Sequence, residues 1–204
     1  YLLKDIGSQV PIFGSKMTLG LIEGKLAEHK LMSPLFHEVS AGETVTLGCF
    51  SVSFFAVNHS IPGAFGIYFR TPAGTLLHTG DFKLDQTPID GVTTDFAALC
   101  HYGHLGVDLM LSDSTNAQNP AFTRSESEVG KELRSLIKDA DKRVIVASFS
   151  SHIHRVQQVC DAAVLAGRKV AVTGRSMLTN TKIARDLGYL HVADDTIIDA
   201  YEVK

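Results

Sequence analysis

The alternation of hydrophobic and polar residues divides the chain into two parts, with a change of character near residue 115. In the first part, Leu19, Ile22 and Leu26 recur at helical spacing, which predicts a helix with Ser15 as its N-cap. The stretches ETVTLGCFSVSFFAVN, AFGIYFRT and TLLHT then predict strands, with turns at 47–48 and at TPAG. The run VDLMLSDSTNA predicts a short buried strand that ends in polar residues.

The second part alternates helical and strand patterns. SESEVGKELRSLIKDA predicts a helix that opens with a capping box formed by Ser125 and Glu128. HIHRVQQVCDAAVLAG and SMLTNTKIARDLGYL predict helices that end at Gly167 and near Gly188. RVIVASF predicts a buried strand, and RKVAVTG and TIID predict two more. This order indicates an α/β fold with a parallel sheet, whose ligand-binding edge would carry SFSSHIHR and TGRSM.

Composition narrows the class of protein. The 204 residues are 45% hydrophobic and 20% charged, as in ordinary globular domains, and no apolar run is long enough to cross a membrane. A net charge of −3 argues against non-specific nucleic-acid binding through a broad basic face, although a local basic groove stays possible. Three sparse cysteines predict buried neutral thiols in a reducing cytoplasm. Because the chain starts with Tyr1, we expect a fragment or a processed product.

Two candidate metal ligands bracket the predicted hairpin. His59 follows the strand SFFAV, and Asp81 follows TLLHT, with Gly80 allowing a sharp bend before it. Imidazole nitrogen and carboxylate oxygen are both ligands of Zn²⁺, and the strand ends of a hairpin lie close together. The alternatives are a surface loop histidine and a turn aspartate that caps backbone N–H groups.

Other titratable clusters are weaker candidates. The patterns H-x-H-x-D-H, H-E-x-x-H and C-x-x-C are absent. His152 and His154 lie at a predicted helix start, where their side chains point about 200° apart. CHYGH, from Cys100 to His104, has a possible ligand spacing, but we expect it to lie in a loop-like stretch with no second cluster.

Two polar segments follow predicted strands. Asp113 would orient a metal-bound histidine or act as an acid, and the alternative is an Asx-turn or a helix N-cap. SFSSHIHR combines hydroxyl groups with a helix N-terminus, which favours a phosphate. The alternative there is simple helix capping by Ser150 or Ser151.

Taken in order, NHSIP, HTGDFKLD, LSDSTNA, SFSSHIHRVQQ and GRSM resemble the RNase J ribonucleases, the bacterial β-CASP branch of the metallo-β-lactamase superfamily. The resemblance implies part of a metallo-β-lactamase αββα sandwich over 1–115, truncated at its N-terminus. It implies part of a β-CASP parallel α/β domain over 116–204, truncated at its C-terminus. The H-x-H-x-D-H ligands are expected before Tyr1, and the later β-CASP histidines after Lys204.

The resemblance also implies roles for individual residues. His59 matches a metal ligand, and Asp81 matches the catalytic aspartate that bridges two metal ions. Asp113 matches the acidic residue that opens the β-CASP insertion and is the second catalytic candidate. Ser151 and His152, with the backbone at Ile153, match the segment that holds an RNA phosphate, although the family commonly has Asn where this chain has His152.

The activity implied is hydrolysis of RNA phosphodiester bonds, 5′-to-3′ exonucleolytic, endonucleolytic or both, in RNA processing and decay. Two Zn²⁺ ions per site are expected in the full-length protein, with Mn²⁺ as the other possibility. RNA is the expected partner, and a homo-oligomer, dimer or tetramer, is expected with no membrane association. We expect residues 1–204 by themselves to be inactive. The alternatives are a superfamily hydrolase of a small thioester or lactam, and a non-catalytic phosphate- or RNA-binding module.

Overall fold

The computed structural model describes residues 3–7, 9–31 and 35–203, and these form a mixed α/β structure, as predicted. The chain divides into two compact units. Unit 1 contains the described residues up to 59 together with 63–84 and 92–121, and unit 2 contains 60–62, 85–91 and the described residues from 122 onward. The division at 115/116 between the two predicted family parts stays a prediction, and its outer limits, Tyr1 and Lys204, lie outside the described residues.

Unit 1 is built around a five-stranded sheet in which the strands follow one another in chain order. The first four are antiparallel neighbours, and the fifth pairs in parallel with the fourth. The strands are β3 (Thr44–Leu47), β4 (Phe50–Ala56), β5 (Phe65–Thr71), β6 (Gly74–His78) and β7 (Leu109–Leu111), which confirms the predicted strands and their turns.

Both faces of this sheet carry apolar clusters because side chains alternate along each strand. One cluster contains Phe55, Tyr68 and Leu77, and it packs against Leu99 and Tyr102 of helix α3 (Phe96–Leu105). The other contains Val39, Val52 and Phe54 with further partly buried aromatic residues. The loops that follow β4 and β6 therefore leave a sheet that is packed on both faces.

Two further parallel strands and two helices precede this sheet in the described chain. They are α1 (Leu3–Ile6), β1 (Pro11–Gly14), α2 (Lys16–Glu28) and β2 (Leu35–Glu38). The predicted cap of α2 is confirmed, because Ser15 Oγ accepts a hydrogen bond from the N–H of Thr18 at 3.4 Å. Helix α2 buries Met17, Leu19 and Leu26, two of which belong to the predicted apolar face.

Three expectations for unit 1 are wrong. The CHYGH stretch is helical, since it lies within α3. Strand β7 is exposed rather than buried, because it is the last strand in the order and its three residues keep 43–58% of their accessible surface. Cys49 and Cys100 are also exposed, and only Cys160 in unit 2 is a buried thiol, whose pKa burial raises to about 11.

Unit 2 contains three helices and a short parallel strand pair. The helices are α4 (Glu126–Asp139), α5 (Ile153–Leu165) and α6 (Arg175–Asp186), the strands are β8 (Val170–Ala171) and β9 (Ile197–Ile198), and a 3₁₀ turn covers Ala200–Glu202. The predicted C-terminal glycines are confirmed, because Gly167 and Gly188 adopt φ values of +66° and +80° just beyond α5 and α6.

The segment RVIVASF is not a strand, which corrects the prediction of a buried strand at 143–149. Ile145 and Phe149 are 88% and 83% exposed, and no strand pairing is found for this segment within the described chain. A β-strand needs a neighbouring strand for its hydrogen bonds, and the nearby strands β8 and β9 pair with each other over only two residues each.

The helices in the described part of the chain are all too short or too polar to span a bilayer.

Candidate functional site

His59 and Asp81 lie side by side at two strand ends of unit 1. Strand β4 ends three residues before His59, and β6 ends three residues before Asp81. Their Nε2 and Oδ2 atoms are 3.9 Å apart, and the side chains are 33% and 79% exposed. The sequence-based expectation that the two residues meet is therefore correct, while their role as metal ligands stays a prediction.

Gly80 makes the bend that presents Asp81. Its φ of +65° is costly for other residues, and an added Cβ would fall on the carbonyl oxygen of Phe65 in β5. The N–H of Gly80 donates to Nδ1 of His78 at 2.9 Å. The position of the aspartate thus depends on a glycine with no room for a side chain.

Asp113 approaches the same region from the end of β7. Its N–H donates to Thr79 Oγ1 at 3.0 Å, and its Oδ1 accepts from the N–H of Thr115 at 2.9 Å, which is an Asx-turn. Its Oδ2 accepts from the N–H of Phe82 at 3.4 Å, next to Asp81. The N–H and hydroxyl of Thr115 lower the pKa of Asp113, and so, to a smaller extent, does the charge of His59.

The separation of His59 and Asp81 fits a shared metal ion. Zn²⁺ binds imidazole nitrogen at about 2.0–2.1 Å and carboxylate oxygen at about 2.0–2.2 Å, and its tetrahedral geometry places two such ligand atoms about 3.4 Å apart. The observed 3.9 Å is about 0.5 Å longer, which a small side-chain movement would close. A protein zinc site needs three or four such ligands. Among residues 3–7, 9–31 and 35–203, no group of three or more His, Cys, Asp or Glu side chains is placed to hold a metal.

The predicted phosphate-binding segment lies in unit 2, at the start of α5. His152 is the N-cap, because its Nδ1 accepts from the N–H of Arg155 at 3.2 Å, so neither Ser150 nor Ser151 caps this helix. Its Nε2 lies 3.5 Å from Glu126 Oε1. With Nδ1 accepting that hydrogen bond, Nε2 is the ring nitrogen that is left to donate, and it faces Glu126.

The backbone donors of this segment are engaged within the chain. The N–H of His152 donates to the carbonyl of Phe149 at 3.0 Å, and the N–H of Ile153 donates to that of Ser151 at 2.9 Å. The side chain of Ile153 is completely buried. Asn180 of α6 donates to the carbonyl oxygen of Ser150 at 3.1 Å, a contact that nothing in the local sequence indicates.

Glu126 connects α4 to this segment and was not singled out by the sequence. Its carboxylate accepts from Arg155 Nη2 at 2.8 Å and Nε at 3.3 Å, in addition to facing His152. The hydrogen bond from His152 and then those from Arg155 lower the pKa of Glu126 to about 2, against the opposing effect of burial. The signal available in the sequence was its place in the first turn of a predicted helix.

A second histidine of α5 is buried. His154 is 9% exposed, and its Nε2 lies 3.3 Å from Asp90 Oδ2. His152 and His154 thus contact different carboxylates, as their predicted divergence on the helix implies.

Comparison with known proteins agrees with the motif order. Residues 141–204 match the family model "Ribonuclease J, beta-CASP domain". The chain is 51% identical over 199 residues to Ribonuclease J of Mycolicibacterium smegmatis, covering 98% of this chain and 35% of that protein. It is 49% identical over 190 residues to Ribonuclease J of Thermus thermophilus, covering 92% of this chain and 33% of that protein. For Ribonuclease J of Helicobacter pylori the identity is 43% over 205 residues, covering 100% of this chain and 29% of that protein.

A solved structure shares the fold at low sequence identity. The crystal structure of a protein of unknown function from Enterococcus faecalis V583 aligns with a TM-score of 0.66 at 14% identity, covering 96% of this chain and 51% of that one. The chain spans about a third of the length of the curated relatives that it matches. Those relatives match along nearly the whole of the chain and carry the same family name, so this chain belongs to the ribonuclease J family.

Proposed function

We propose that the full-length protein is a metal-dependent ribonuclease that hydrolyses RNA phosphodiester bonds, by 5′-to-3′ exonucleolytic cleavage, endonucleolytic cleavage or both. The observation that carries this proposal is the 3.9 Å approach of His59 Nε2 and Asp81 Oδ2 at two strand ends. It is supported by relatives named Ribonuclease J that align over 92–100% of the chain. We place its role in RNA processing and decay in the cytoplasm, with RNA as substrate and a homo-oligomeric assembly.

The proposed cofactor is a pair of divalent ions, Zn²⁺ or Mn²⁺. Such ions supply an activated water and neutralise the charge of the phosphodiester. His59 and Asp81 would be ligands, with Asp81 shared between the ions. The remaining ligands would come from outside residues 1–204, since the described part of the chain holds no group of three ligands and its relatives are about three times as long.

Asp113 has a supporting role in this proposal. Its carboxylate is charged at neutral pH, accepts the hydrogen bond from the N–H of Phe82 beside Asp81, and has its pKa lowered in part by the nearby His59. A carboxylate in this place orients a neighbouring ligand, as carboxylates behind metal-bound histidines do. The other role expected from the sequence, that of an acid, is less well supported, because a carboxylate with a lowered pKa holds no proton at neutral pH.

The second proposed region is the start of α5, where Ser151, His152 and Ile153 would hold an RNA phosphate. A helix N-terminus favours an anion, and the hydroxyl of Ser151 is half-buried there. The N–H groups of His152 and Ile153 already donate to carbonyl groups, so phosphate binding through them requires those two hydrogen bonds to open. The side chain of His152 faces Glu126, which leaves the hydroxyl of Ser151 as the more accessible donor.

A cleavage assay on the full-length protein tests this function. Asp81→Ala should abolish cleavage of a 5′-labelled RNA and lower the bound Zn²⁺ or Mn²⁺. Asp108→Asn is the matched control, because Asp108 is an acidic residue of unit 1 that bonds Thr75 instead of facing His59. RNA cleavage that survives Asp81→Ala would contradict the proposal.

Two other functions correspond to other results of the same assay. Turnover of a thioester or lactam without RNA cleavage would indicate a small-molecule hydrolase of the superfamily. RNA or phosphate binding without metal and without turnover would indicate a binding module. Both are less well supported than a ribonuclease because the relatives that match the chain are named Ribonuclease J.

A further inference from the structure

Asn58 is a buried polar residue directly before His59. It is 6% exposed and follows Val57, whose N–H donates to the carbonyl of Ala64 at 3.1 Å. A side-chain amide in such a place is costly unless its polar atoms find partners. What Asn58 bonds to is therefore informative about the loop that carries His59.

Three polar groups of Asn58 bond to three separate positions of the chain. Its backbone N–H donates to Thr94 Oγ1 at 3.1 Å, and its Nδ2 donates to the carbonyl of Val92 at 3.0 Å. Its own carbonyl accepts from the N–H of Lys83 at 2.7 Å. Thr94, itself 4% exposed, also donates to the carbonyl of Lys83 at 3.4 Å. We refer to Asn58, Lys83, Val92 and Thr94 as the Asn58 junction.

The Asn58 junction ties together the two loops that carry the candidate ligands. Asn58 is next to His59, and Lys83 is two residues after Asp81. The bond between the carbonyl of Asn58 and the N–H of Lys83 is the shortest in the junction, and it joins these loops directly. The side-chain amide adds a second anchor for Asn58, through its hydrogen bond to the carbonyl of Val92.

We propose that Asn58 is a positioning residue that sets the separation of His59 and Asp81 and thereby the metal affinity of the site. Asn58 does not touch metal or substrate and acts through His59. This inference rests on the proposed function as far as the metal is concerned, but the geometric part of it does not require a metal.

The test compares Asn58→Ala and Asn58→Asp with Tyr68→Phe in the full-length protein. Asn58→Asp keeps the shape of the side chain and replaces the Nδ2 donor with an oxygen facing the carbonyl of Val92. Tyr68→Phe is the matched control, because it removes a hydrogen bond of 2.9 Å from a buried side chain to the carbonyl of Gly106 in the same unit. Metal affinity is measured by Mn²⁺ titration followed by electron paramagnetic resonance, together with the thermal midpoint of each variant.

Both Asn58 variants should weaken Mn²⁺ binding at least tenfold, whereas Tyr68→Phe should change it less than twofold at a comparable loss of thermal midpoint. Equal effects in the three variants would overturn the proposal and assign Asn58 a purely structural role. Unchanged Mn²⁺ affinity in both Asn58 variants would overturn it as well.

Hydrogen exchange separates this inference from the proposed function. In Asn58→Ala, the amides of residue 58 and of Lys83 should exchange at least tenfold faster, while those of β5 stay unchanged. If the wild type binds neither Zn²⁺ nor Mn²⁺, the proposed function fails, and faster exchange at these two amides still supports the positioning role. Unchanged exchange at both amides would overturn the positioning role whatever the metal result.

Discussion

At the scale of single residues, the side chains around Glu126 lower the pKa of its carboxyl group to about 2. The carboxylate is 18% exposed and is held by Arg155 and His152, which stabilise its charged form. A carboxyl group whose pKa is lower in the folded protein than in the unfolded chain stabilises the fold at every pH above its unfolded pKa. That stabilisation is lost as the pH falls through the pKa of the folded state.

Replacing Glu126 should therefore remove a pH dependence of stability in the acid range. The pKa falls from its usual 4.5 to about 2, so the wild type should lose about 1–2 kcal/mol of unfolding free energy as the pH drops from 5 to 2. Glu126→Gln should lack this loss. Urea unfolding of the full-length protein, followed by circular dichroism across this pH range, measures it.

Glu132→Gln is the control for that experiment. Glu132 pairs with Arg124 at 3.0 Å, but both side chains are about two-thirds exposed, so the pair contributes little. We expect this variant to follow the pH dependence of the wild type. If Glu126→Gln retained the full acid-range loss, other carboxyl groups would be responsible for it.

Gly80 allows a second test at residue scale. Gly80→Ala adds backbone strain and a clash with the carbonyl of Phe65, whereas Gly48→Ala adds only the strain, since Gly48 has φ +62° with open space around it. We expect Gly80→Ala to cost about 2–4 kcal/mol and Gly48→Ala about 1 kcal/mol. The difference in unfolding free energy between the two variants measures the clash, and equal losses would mean that β5 yields at this point.

At the scale of elements, helix α4 is capped differently from the predicted capping box. Ser125 is its N-cap, as predicted, but this end of the helix also bonds to Asp85, an acidic residue 40 positions earlier in the chain. Asp85 Oδ2 accepts from Ser125 Oγ and from the N–H of Glu126, each at 3.0 Å, and Oδ1 accepts from Thr87 at 3.0 Å. The charge of Asp85 also lies where the helix dipole favours an anion.

The predicted capping box and the observed cap by Asp85 differ in which residue should matter most for stability. Asp85→Ala removes three hydrogen bonds from a carboxylate that is 5% exposed and should cost about 2–4 kcal/mol. Glu128→Ala, which removes the side-chain acceptor at the predicted box position, should cost less than about 0.5 kcal/mol. Thermal unfolding compares the two variants, and a larger loss for Glu128→Ala than for Asp85→Ala would restore the capping box.

At the scale of the whole molecule, the segment 143–149 combines a strand-like sequence with an exposed position. Val144 and Val146 line a cavity of about 240 Å³ in unit 2 together with Ile137 and residues of α5 and β8. Ile145 points away from this cavity, as its 88% exposure shows. The contribution of this segment to stability therefore depends on what surrounds it in the full-length protein.

A matched pair of variants measures that contribution. Ile145→Ala should change the unfolding free energy by less than about 0.5 kcal/mol, whereas Ile137→Ala, at a residue that is 4% exposed, should cost about 2–4 kcal/mol. Urea unfolding of the full-length protein compares the two. A loss above about 2 kcal/mol for Ile145→Ala would mean that the segment is buried there.

The sequence by itself determined the elements whose signals are local. The periodicity after Ser15, the turn at TPAG and the glycines after α5 and α6 each reflect the conformational preferences of neighbouring residues, and each prediction is confirmed. The meeting of His59 and Asp81 was also predictable, because a hairpin brings its own strand ends together.

Only the tertiary structure decided the contacts between distant segments. Asn58 bonds residues 34 and 36 positions away, and Asp85 bonds Ser125 40 positions away, so no local pattern indicates them. The family resemblance places His152 in a phosphate-binding segment and leaves the role of its side chain open, and only the packing of α4 shows that its ring faces Glu126. RVIVASF has the composition of a strand, yet strand formation requires a neighbouring strand, and that is a property of the assembled chain.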